Sequence, residues 1–226
     1  MSMKQTPVHE IHNQDLLELI PRHATKITEV GCSSGALARE YKKINPQCHY
    51  IGVEIDPDYA EMAGRYCDET VCADIEDPGF YSLADFEGTD CWVFGDTLEH
   101  LRNPWSVLAD IRERSSDQSS VVACIPNAQH WSIQARLNVG DFRYEDSGLL
   151  DRTHLRWFTR STMVELFQQS GFRVEQGKPR IFKSTHPNFE GIVAAIRQLA
   201  VQMGGDPELA VQDALPLQYV VRAVPA

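Results

Sequence analysis

The fold is decided by one stretch of the chain, KITEVGCSSGALAREY at residues 26–41. Apolar and β-branched residues predict a buried strand at Lys26–Val30, and a helix is predicted at Gly35–Tyr41. Gly31 and Gly35 flank the turn between them, where the lack of a side chain lets the backbone approach a ligand closely. The first N–H groups of a new helix have no partner within it. This strand–turn–helix unit therefore predicts a ligand site at the end of the strand.

Short apolar segments alternate with helical segments along most of the chain. Further strands are predicted at His49–Glu54, Glu69–Ala73, Cys91–Phe94, Val121–Ile125, Phe172–Glu175 and Gln218–Val224. Further helices are predicted at Pro57–Arg65, Trp105–Ile111, Thr162–Gln169 and Asn188–Met203. This alternation is typical of βαβ units. The sequence therefore predicts an α/β fold built on a largely parallel sheet.

The length of 226 residues and the 42% hydrophobic composition are sufficient for one sizeable core. We therefore expect a single domain over residues 1–226. The segment at about 126–160 interrupts the alternation and is rich in Arg, Asp and aromatic residues. Long insertions of this kind are often binding loops, so this segment is predicted to be a lid over the substrate.

Charge and composition exclude several classes of function. The formal net charge of −11 disfavours nucleic acid, whose phosphates repel an acidic surface. The six cysteines are scattered without zinc-site spacing, which indicates reduced thiols. Met1–His12 does not have the pattern of a leader peptide, and no apolar run reaches about 18 residues. These features predict a cytoplasmic protein with no membrane span.

The glycine turn discriminates between two cofactor classes. A dinucleotide turn requires G-x-G-x-x-G, but Ser33 occupies the middle position and no glycine follows three residues later. The spacing of Glu29, Gly31 and Gly35 instead resembles the first motif of class I S-adenosylmethionine-dependent methyltransferases. The resemblance extends over Glu29–Val174. It implies S-adenosylmethionine as cofactor, activity in EC 2.1.1 and a Rossmann-like, seven-stranded sheet whose last strand is antiparallel, with helices on both faces.

Acidic residues after the next strands extend this resemblance. Glu54 is placed to accept the ribose hydroxyls, and Ile55 offers an apolar face to adenine. Asp74 matches the family's residue for the adenine amino group, and Asp96 matches its fourth motif. Each carboxylate can also be a helix cap. The resemblance implies a cofactor-binding set of Glu29, Gly31, Cys32, Ser33, Gly35, Glu54, Ile55, Asp74, Ile75, Asp96 and Leu98.

A second pair of motifs concerns the acceptor. IPN at 125–127 and GLLDRTHLRWFT at 148–159 resemble methyltransferase domains associated with bacterial glycan and sugar modification, and more distantly ubiquinone-biosynthesis O-methyltransferases. This resemblance implies a small-molecule or glycan acceptor methylated at a hydroxyl oxygen. Nitrogen and carbon acceptors stay open, as does a non-catalytic module that binds S-adenosylmethionine or serves as a partner subunit. An NAD-linked oxidoreductase is disfavoured by the missing glycine.

His154 is the predicted general base, because imidazole titrates near neutral pH and its loop should face the cofactor. It can instead anchor the loop to a backbone carbonyl. Asp151 is predicted to orient His154, with an ion pair to Arg152 or Arg156 as the alternative. His100 is the alternative base.

Planar and hydrogen-bonding groups in the lid predict contacts with the acceptor. The predicted substrate-binding residues are Arg143, Tyr144, Arg152, Arg156 and Trp131. The alternative is a solvated, salt-bridged lid, because acidic residues are interleaved with the arginines. No metal is predicted. The alternative is a site at Asp96, Glu99 and His100, because a ubiquinone-family relative uses a similar acidic-x-x-Glu-His segment for a divalent cation.

Overall fold

The computed structural model describes residues 10–226. The prediction about Met1–His12 therefore falls mostly outside the described residues. The helices are α1 (Gln14–Leu19), α2 (Ala36–Ile44), α3 (Pro57–Ala63), α4 (Pro104–Arg114), α5 (Trp131–Asn138), α6 (Arg160–Gln169), α7 (Phe189–Gln202) and α8 (Pro207–Ala214). The strands are β1 (Lys26–Val30), β2 (His49–Glu54), β3 (Glu69–Cys72), β4 (Cys91–Gly95), β5 (Ser120–Pro126), β6 (Phe172–Arg180) and β7 (Gln218–Pro225).

These strands form one seven-stranded sheet in the order β3-β2-β1-β4-β5-β7-β6. Strands β1 to β5 pair in parallel, whereas β7 is antiparallel to both β5 and β6. Val30 of β1 pairs with Val53 on one side and Phe94 on the other. The carboxyl ends of three central strands therefore meet at one edge of the sheet. The predicted Rossmann-like α/β fold with an antiparallel last strand is confirmed.

Apolar side chains on both faces of the sheet hold the layers together. In β4, Trp92 belongs to one buried cluster and the next residue, Val93, belongs to the other. Successive side chains of a strand point to opposite faces, so both faces are covered. No helix within residues 10–226 has the length and apolar character that a membrane crossing requires.

Strand β6 is longer than predicted, ending at Arg180 rather than Glu175. Its second half is mostly exposed and polar, so hydrophobicity does not reveal it. Backbone pairing with β7 defines it instead, with an irregularity between Val174 and Gln176.

Three helices were not predicted. Helix α5 lies within the predicted lid and buries one residue of its own, Ile133, so its period is weak. Helix α1 is short, although Asn13 caps it by accepting from the N–H groups of Asp15 and Leu16. Helix α8 begins after Asp206 with Pro207 in its first turn, a start signal that the sequence carries.

Candidate functional site

The turn after β1 has a backbone that only small residues allow. Gly31 has φ of 74°, and a Cβ there would lie 2.5 Å from Thr97 Oγ1. The Thr97 hydroxyl donates to the Val30 carbonyl at 2.9 Å. Gly35, at φ of 76°, precedes α2, so this helix begins at Ala36. Because residue 31 is a glycine, the turn can pack directly against the segment after β4.

Glu54 ties the end of β2 to this turn. Its Oε2 accepts the Ser33 N–H at 2.8 Å, and its Oε1 accepts the N–H groups of Ile55 and Asp56 at 2.8 and 3.0 Å. The residue is buried but still lines the cavity described below. Each carboxylate oxygen has about two acceptor positions, so Oε2 keeps capacity for a ligand hydroxyl.

Glu29 is placed differently from Glu54. Its carboxylate accepts the Tyr50 hydroxyl at 2.9 Å and is buried inside the sheet edge. Burial raises the pKa of Glu29 to about 8, with the Tyr50 hydrogen bond opposing and the Glu54 charge adding to the rise. The residue borders the cavity, so its predicted contact with a cofactor stays a prediction.

Asp74 lies two residues after β3, beside a cation that was not predicted. Arg102 pairs with Asp74 at 2.9 Å and with Glu76 at 3.1 Å. Ile55 is 54% exposed and Ile75 is buried, and both line the cavity. This end therefore offers apolar surface beside a carboxylate, as adenine recognition requires.

Of the two predicted cofactor residues after β4, Asp96 lines the cavity and Leu98 does not. Asp96, with φ of 55°, accepts a hydrogen bond from Gln218 Nε2, and burial raises the pKa of Asp96. Leu98 is fully buried in the core and is not among the residues that line the cavity. Cys32 and Ser33 do line it. Gln218 is the first residue of β7, and nothing in the local sequence around Asp96 indicates this partner.

One cavity of about 880 Å³ runs along the carboxyl edge of the sheet. Its volume lies within the range typical of small-molecule sites, about 300–1,000 Å³. The glycine turn, Glu54 and Asp74 border one part of it. Its lining also includes five residues from the segment after β4 and from the predicted lid, namely Glu99, His100, Asp151, Thr153 and His154.

Glu99, His100 and His154 form a compact cluster in this second part. The imidazole rings of His100 and His154 lie 4.8 Å apart, edge to face. His154 Nε2 is 3.9 Å from Glu99 Oε1, beyond hydrogen-bond distance. The Glu99 carbonyl accepts the N–H groups of Leu155 and Arg156 at 2.8 and 3.0 Å. This backbone contact fixes the loop of His154 against the end of β4.

The cluster is electrostatically unusual because it is buried. Glu99 is 1% exposed, and neither of its carboxylate oxygens has a hydrogen-bond partner within residues 10–226. Burial raises the pKa of Glu99 well above its usual range, and the charges of Asp96 and Asp151 add to this. Burial lowers the pKa of both His100 and His154. Both rings are therefore neutral near pH 7 and keep a nitrogen lone pair.

Asp151, the predicted orienting residue, acts through Thr153. Its Oδ1 accepts the Thr153 N–H at 2.8 Å and the Thr153 hydroxyl at 2.6 Å. Burial opposes ionisation, but these hydrogen bonds outweigh it and lower the pKa of Asp151. The predicted alternative was an ion pair with Arg152 or Arg156. Arg152 pairs with Asp146 at 2.6 Å, and Arg156 Nη2 donates to the Arg102 carbonyl.

The predicted acceptor contacts are not brought together around the cavity. Arg143 is exposed and pairs with Asp141 at 2.9 Å. Tyr144 packs near Phe142 at the surface, and Trp131 contacts Phe189. None of Arg143, Tyr144, Arg152, Arg156 and Trp131 is among the lining residues. Within the described residues the lid is salt-bridged, and a role for these five in acceptor binding stays a prediction.

Comparison with known families identifies the domain. A family model described as a methyltransferase domain, Methyltransf_23, matches residues 10–176. The chain belongs to this methyltransferase family. The match covers more than half of the chain and includes both the glycine turn and the cluster. The family is that of class I methyltransferases, and its cofactor is S-adenosylmethionine, as the sequence predicted.

Solved structures with the same fold include diverse methyltransferases. The O-methyltransferase NcsB1 of neocarzinostatin biosynthesis, bound to S-adenosylmethionine and 2-hydroxy-5-methyl naphthoic acid, superimposes with a TM-score of 0.58 at 12% identity. The match covers 94% of this chain and 52% of NcsB1, so the methyltransferase spans about half of that protein's length. No curated protein matches the chain closely.

For two further structures, the match covers a larger share of their own chains than it does for NcsB1. A putative Haloferax volcanii methyltransferase, in complex with its activator Trm112, has a TM-score of 0.60 at 14% identity, covering 94% of this chain and 87% of that one. Magnesium protoporphyrin IX methyltransferase from Synechocystis PCC 6803, with bound S-adenosylhomocysteine, has a TM-score of 0.58 at 9% identity, covering 93% and 78%. Identities this low support the fold alone.

Proposed function

We propose that this methyltransferase transfers the methyl group of S-adenosylmethionine to a hydroxyl oxygen of a small molecule or glycan. The observation that carries the proposal is one continuous cavity, which joins the glycine turn to the buried cluster of Glu99, His100 and His154. The sulfonium of the cofactor supplies an activated methyl group. The protein has to bind and orient both partners and assist loss of the hydroxyl proton.

The residues around the turn fit the cofactor. Gly31 and Gly35 let the backbone approach it, and Glu54 offers a carboxylate held in place by three backbone N–H groups. Ile55 and Ile75 offer apolar surface, and Asp74 keeps acceptor capacity beside Arg102. We expect ribose to bind at Glu54 and adenine to bind between the two isoleucines and Asp74.

The residues of the cluster fit the acceptor end. A neutral imidazole at His154 supports proton removal, so His154 is the residue on which we expect this step to depend. His100 contacts its ring edge to face, and Thr153 connects His100 to Asp151. Asp151 and His100 are therefore proposed to position His154. A neutral amine attacks through its own lone pair and has less need of such a cluster.

The proposal also covers the extent of the domain, its location and the range of acceptors. We treat residues 1–226 as one catalytic domain, with the segment at 126–160 on the acceptor side. A cytoplasmic location is expected, and the absence of disulfides among the six cysteines is compatible with it. The NcsB1 structure contains a hydroxylated aromatic acid, which adds phenols to the sugars as acceptors worth testing.

The test is a methyl-transfer assay with labelled S-adenosylmethionine and a panel of nucleotide sugars, glycans and hydroxylated aromatic acids. The variant is His154→Gln, and exposed His23→Ala is the control. We expect turnover of the acceptor to fall by about 10²–10⁴-fold in His154→Gln, with affinity for S-adenosylhomocysteine unchanged.

Two outcomes would contradict the proposal. Turnover in His154→Gln equal to that of the wild type would remove His154 from the proton step. Binding of S-adenosylhomocysteine without methylation of any hydroxyl compound in the panel would favour the alternative, a module that binds the cofactor or serves as a partner subunit.

A further inference from the structure

The Glu99 carboxylate lacks the partner that its burial demands. It is 1% exposed, and neither oxygen forms a hydrogen bond with any residue that the structure describes. The nearest imidazole nitrogen in the cluster, His154 Nε2, is 3.9 Å from Glu99 Oε1. A buried ionised carboxylate without a partner is costly, so in proteins such a group takes up a proton, is paired or coordinates a metal. Glu99 borders the cavity, so a ligand can reach it.

The neighbours of Glu99 are metal-ligand types at suitable distances. Glu99, His100 and His154 each offer one ligand atom, and these atoms lie within 4.8 Å of one another. An ion at their centre would sit at most about 2.8 Å from each atom, against about 2.0–2.2 Å in a formed site. Each side chain therefore has to move inward by less than about 1 Å.

The surrounding hydrogen bonds orient these ligand atoms. His100 Nδ1 lies 3.2 Å from the Thr153 carbonyl and donates to it, which leaves the lone pair on Nε2. A histidine that binds a metal through one ring nitrogen usually donates the N–H of the other to a carboxylate, a backbone carbonyl or water. The two N–H groups of Leu155 and Arg156 hold the Glu99 backbone in place. These contacts fix the His100 ring and the backbone of Glu99.

We infer that Glu99, His100 and His154 bind one divalent transition-metal ion. Two imidazoles and one carboxylate suit ions such as Zn²⁺ and Co²⁺, and a three-residue set leaves a coordination position open. All three residues line the cavity, so the open position is accessible from it. The ligand set differs from the sequence-based alternative, because Asp96 is engaged by Gln218 and His154 takes its place.

This inference rests on the proposed function and specifies how the acceptor loses its proton. A divalent ion lowers the pKa of a hydroxyl that reaches its open position. The proton then passes to water in the cavity, and the loss of turnover expected above for His154→Gln comes from the loss of a metal ligand in place of a free base. The acceptor class narrows to hydroxyl compounds whose oxygen can approach a cation.

The test measures metal binding directly, without S-adenosylmethionine. The full-length, tag-free protein is stripped with a chelator and titrated with Co²⁺, which is followed by its visible absorption and by calorimetry. We expect one Co²⁺ per chain, displaced by Zn²⁺. Affinity should fall at least about 100-fold in Glu99→Gln and in His154→Gln, because each loses a direct ligand. His23→Ala should bind as the wild type does.

The absence of stoichiometric Co²⁺ binding to the wild type would overturn the inference, as would equal binding by Glu99→Gln and His154→Gln. Titration with S-adenosylhomocysteine checks that each variant is folded. The result is separable from the proposed function. Metal binding without methyl transfer would keep the site and reject that function, whereas methyl transfer by a protein that binds no Co²⁺ would reject the site alone.

Discussion

At the residue scale, the cofactor turn depends on positions where a side chain has no room. Gly31 faces Thr97, whose hydroxyl is hydrogen-bonded to the Val30 carbonyl. The sequence predicts the need for glycine there, because the motif places it between a strand and a helix. It does not reveal Thr97 as the neighbour, because the two residues meet only through the pairing of β1 with β4.

Gly31→Ala tests this close approach, and Gly140→Ala is a matched control. Both glycines have nearly the same φ, 74° and 73°, but a Cβ on Gly140 meets nothing within 4 Å. We expect Gly140→Ala to lower the free energy of unfolding by about 1–2 kcal/mol, the cost of a left-handed alanine. Gly31→Ala should cost more and weaken S-adenosylhomocysteine binding at least about tenfold, because the turn must shift.

Urea unfolding and calorimetry on both variants measure these effects. Equal stability and equal ligand affinity in the two variants would show that the contact with Thr97 does not restrict the turn.

At the element scale, Asn127, which directly follows β5, connects the end of this strand to the end of α8 and to the connection between α8 and β7. This residue is 0% exposed, and its Nδ2 donates to the carbonyls of Asp213 and Pro216 at 2.8 Å each. Its Oδ1 accepts the Gln129 N–H at 3.0 Å. The side chain therefore fixes the start of the 126–160 segment to the connection between α8 and β7.

Asn127→Ala should lower the free energy of unfolding by about 2–4 kcal/mol, because it leaves buried backbone groups without partners. Asn138→Ala is the control, since Asn138 is exposed and makes one hydrogen bond, to Gln134. We expect its effect to stay within about 0.5 kcal/mol. Denaturant unfolding of both variants measures these changes. An equal decrease in the free energy of unfolding in the two variants would contradict the role of Asn127.

The elements also show what can be predicted from sequence. The five parallel strands are apolar and bounded by turn residues, so their pattern predicts them within two residues. The second half of β6 is polar, and only its pairing with β7 defines it. Likewise the contacts of Asp96 with Gln218 and of Asp74 with Arg102 join residues far apart in sequence. Local motifs indicate the carboxylates but not their partners.

At the scale of the whole molecule, the sheet brings the two halves of the site to one edge. The proposed cofactor residues come from the turns after β1, β2 and β3, whereas the cluster combines the turn after β4 with the loop of His154. The sequence predicts the cofactor residues from the resemblance to the first motifs of class I methyltransferases. It predicts His154 from a separate resemblance, that of the segment at 148–159. The closeness of Glu99 to His154 follows only from the fold.

The most direct test of this account is a calorimetric titration of the protein with S-adenosylmethionine, S-adenosylhomocysteine and NAD, with Glu54→Gln beside the wild type and exposed Glu61→Gln as control. We expect both sulfur compounds, but not NAD, to bind the wild type and Glu61→Gln. Affinity should fall roughly 10–100-fold in Glu54→Gln, the value of one or two hydrogen bonds to a charged group. Failure of the wild type to bind either sulfur compound, or unchanged affinity in Glu54→Gln, would contradict the account.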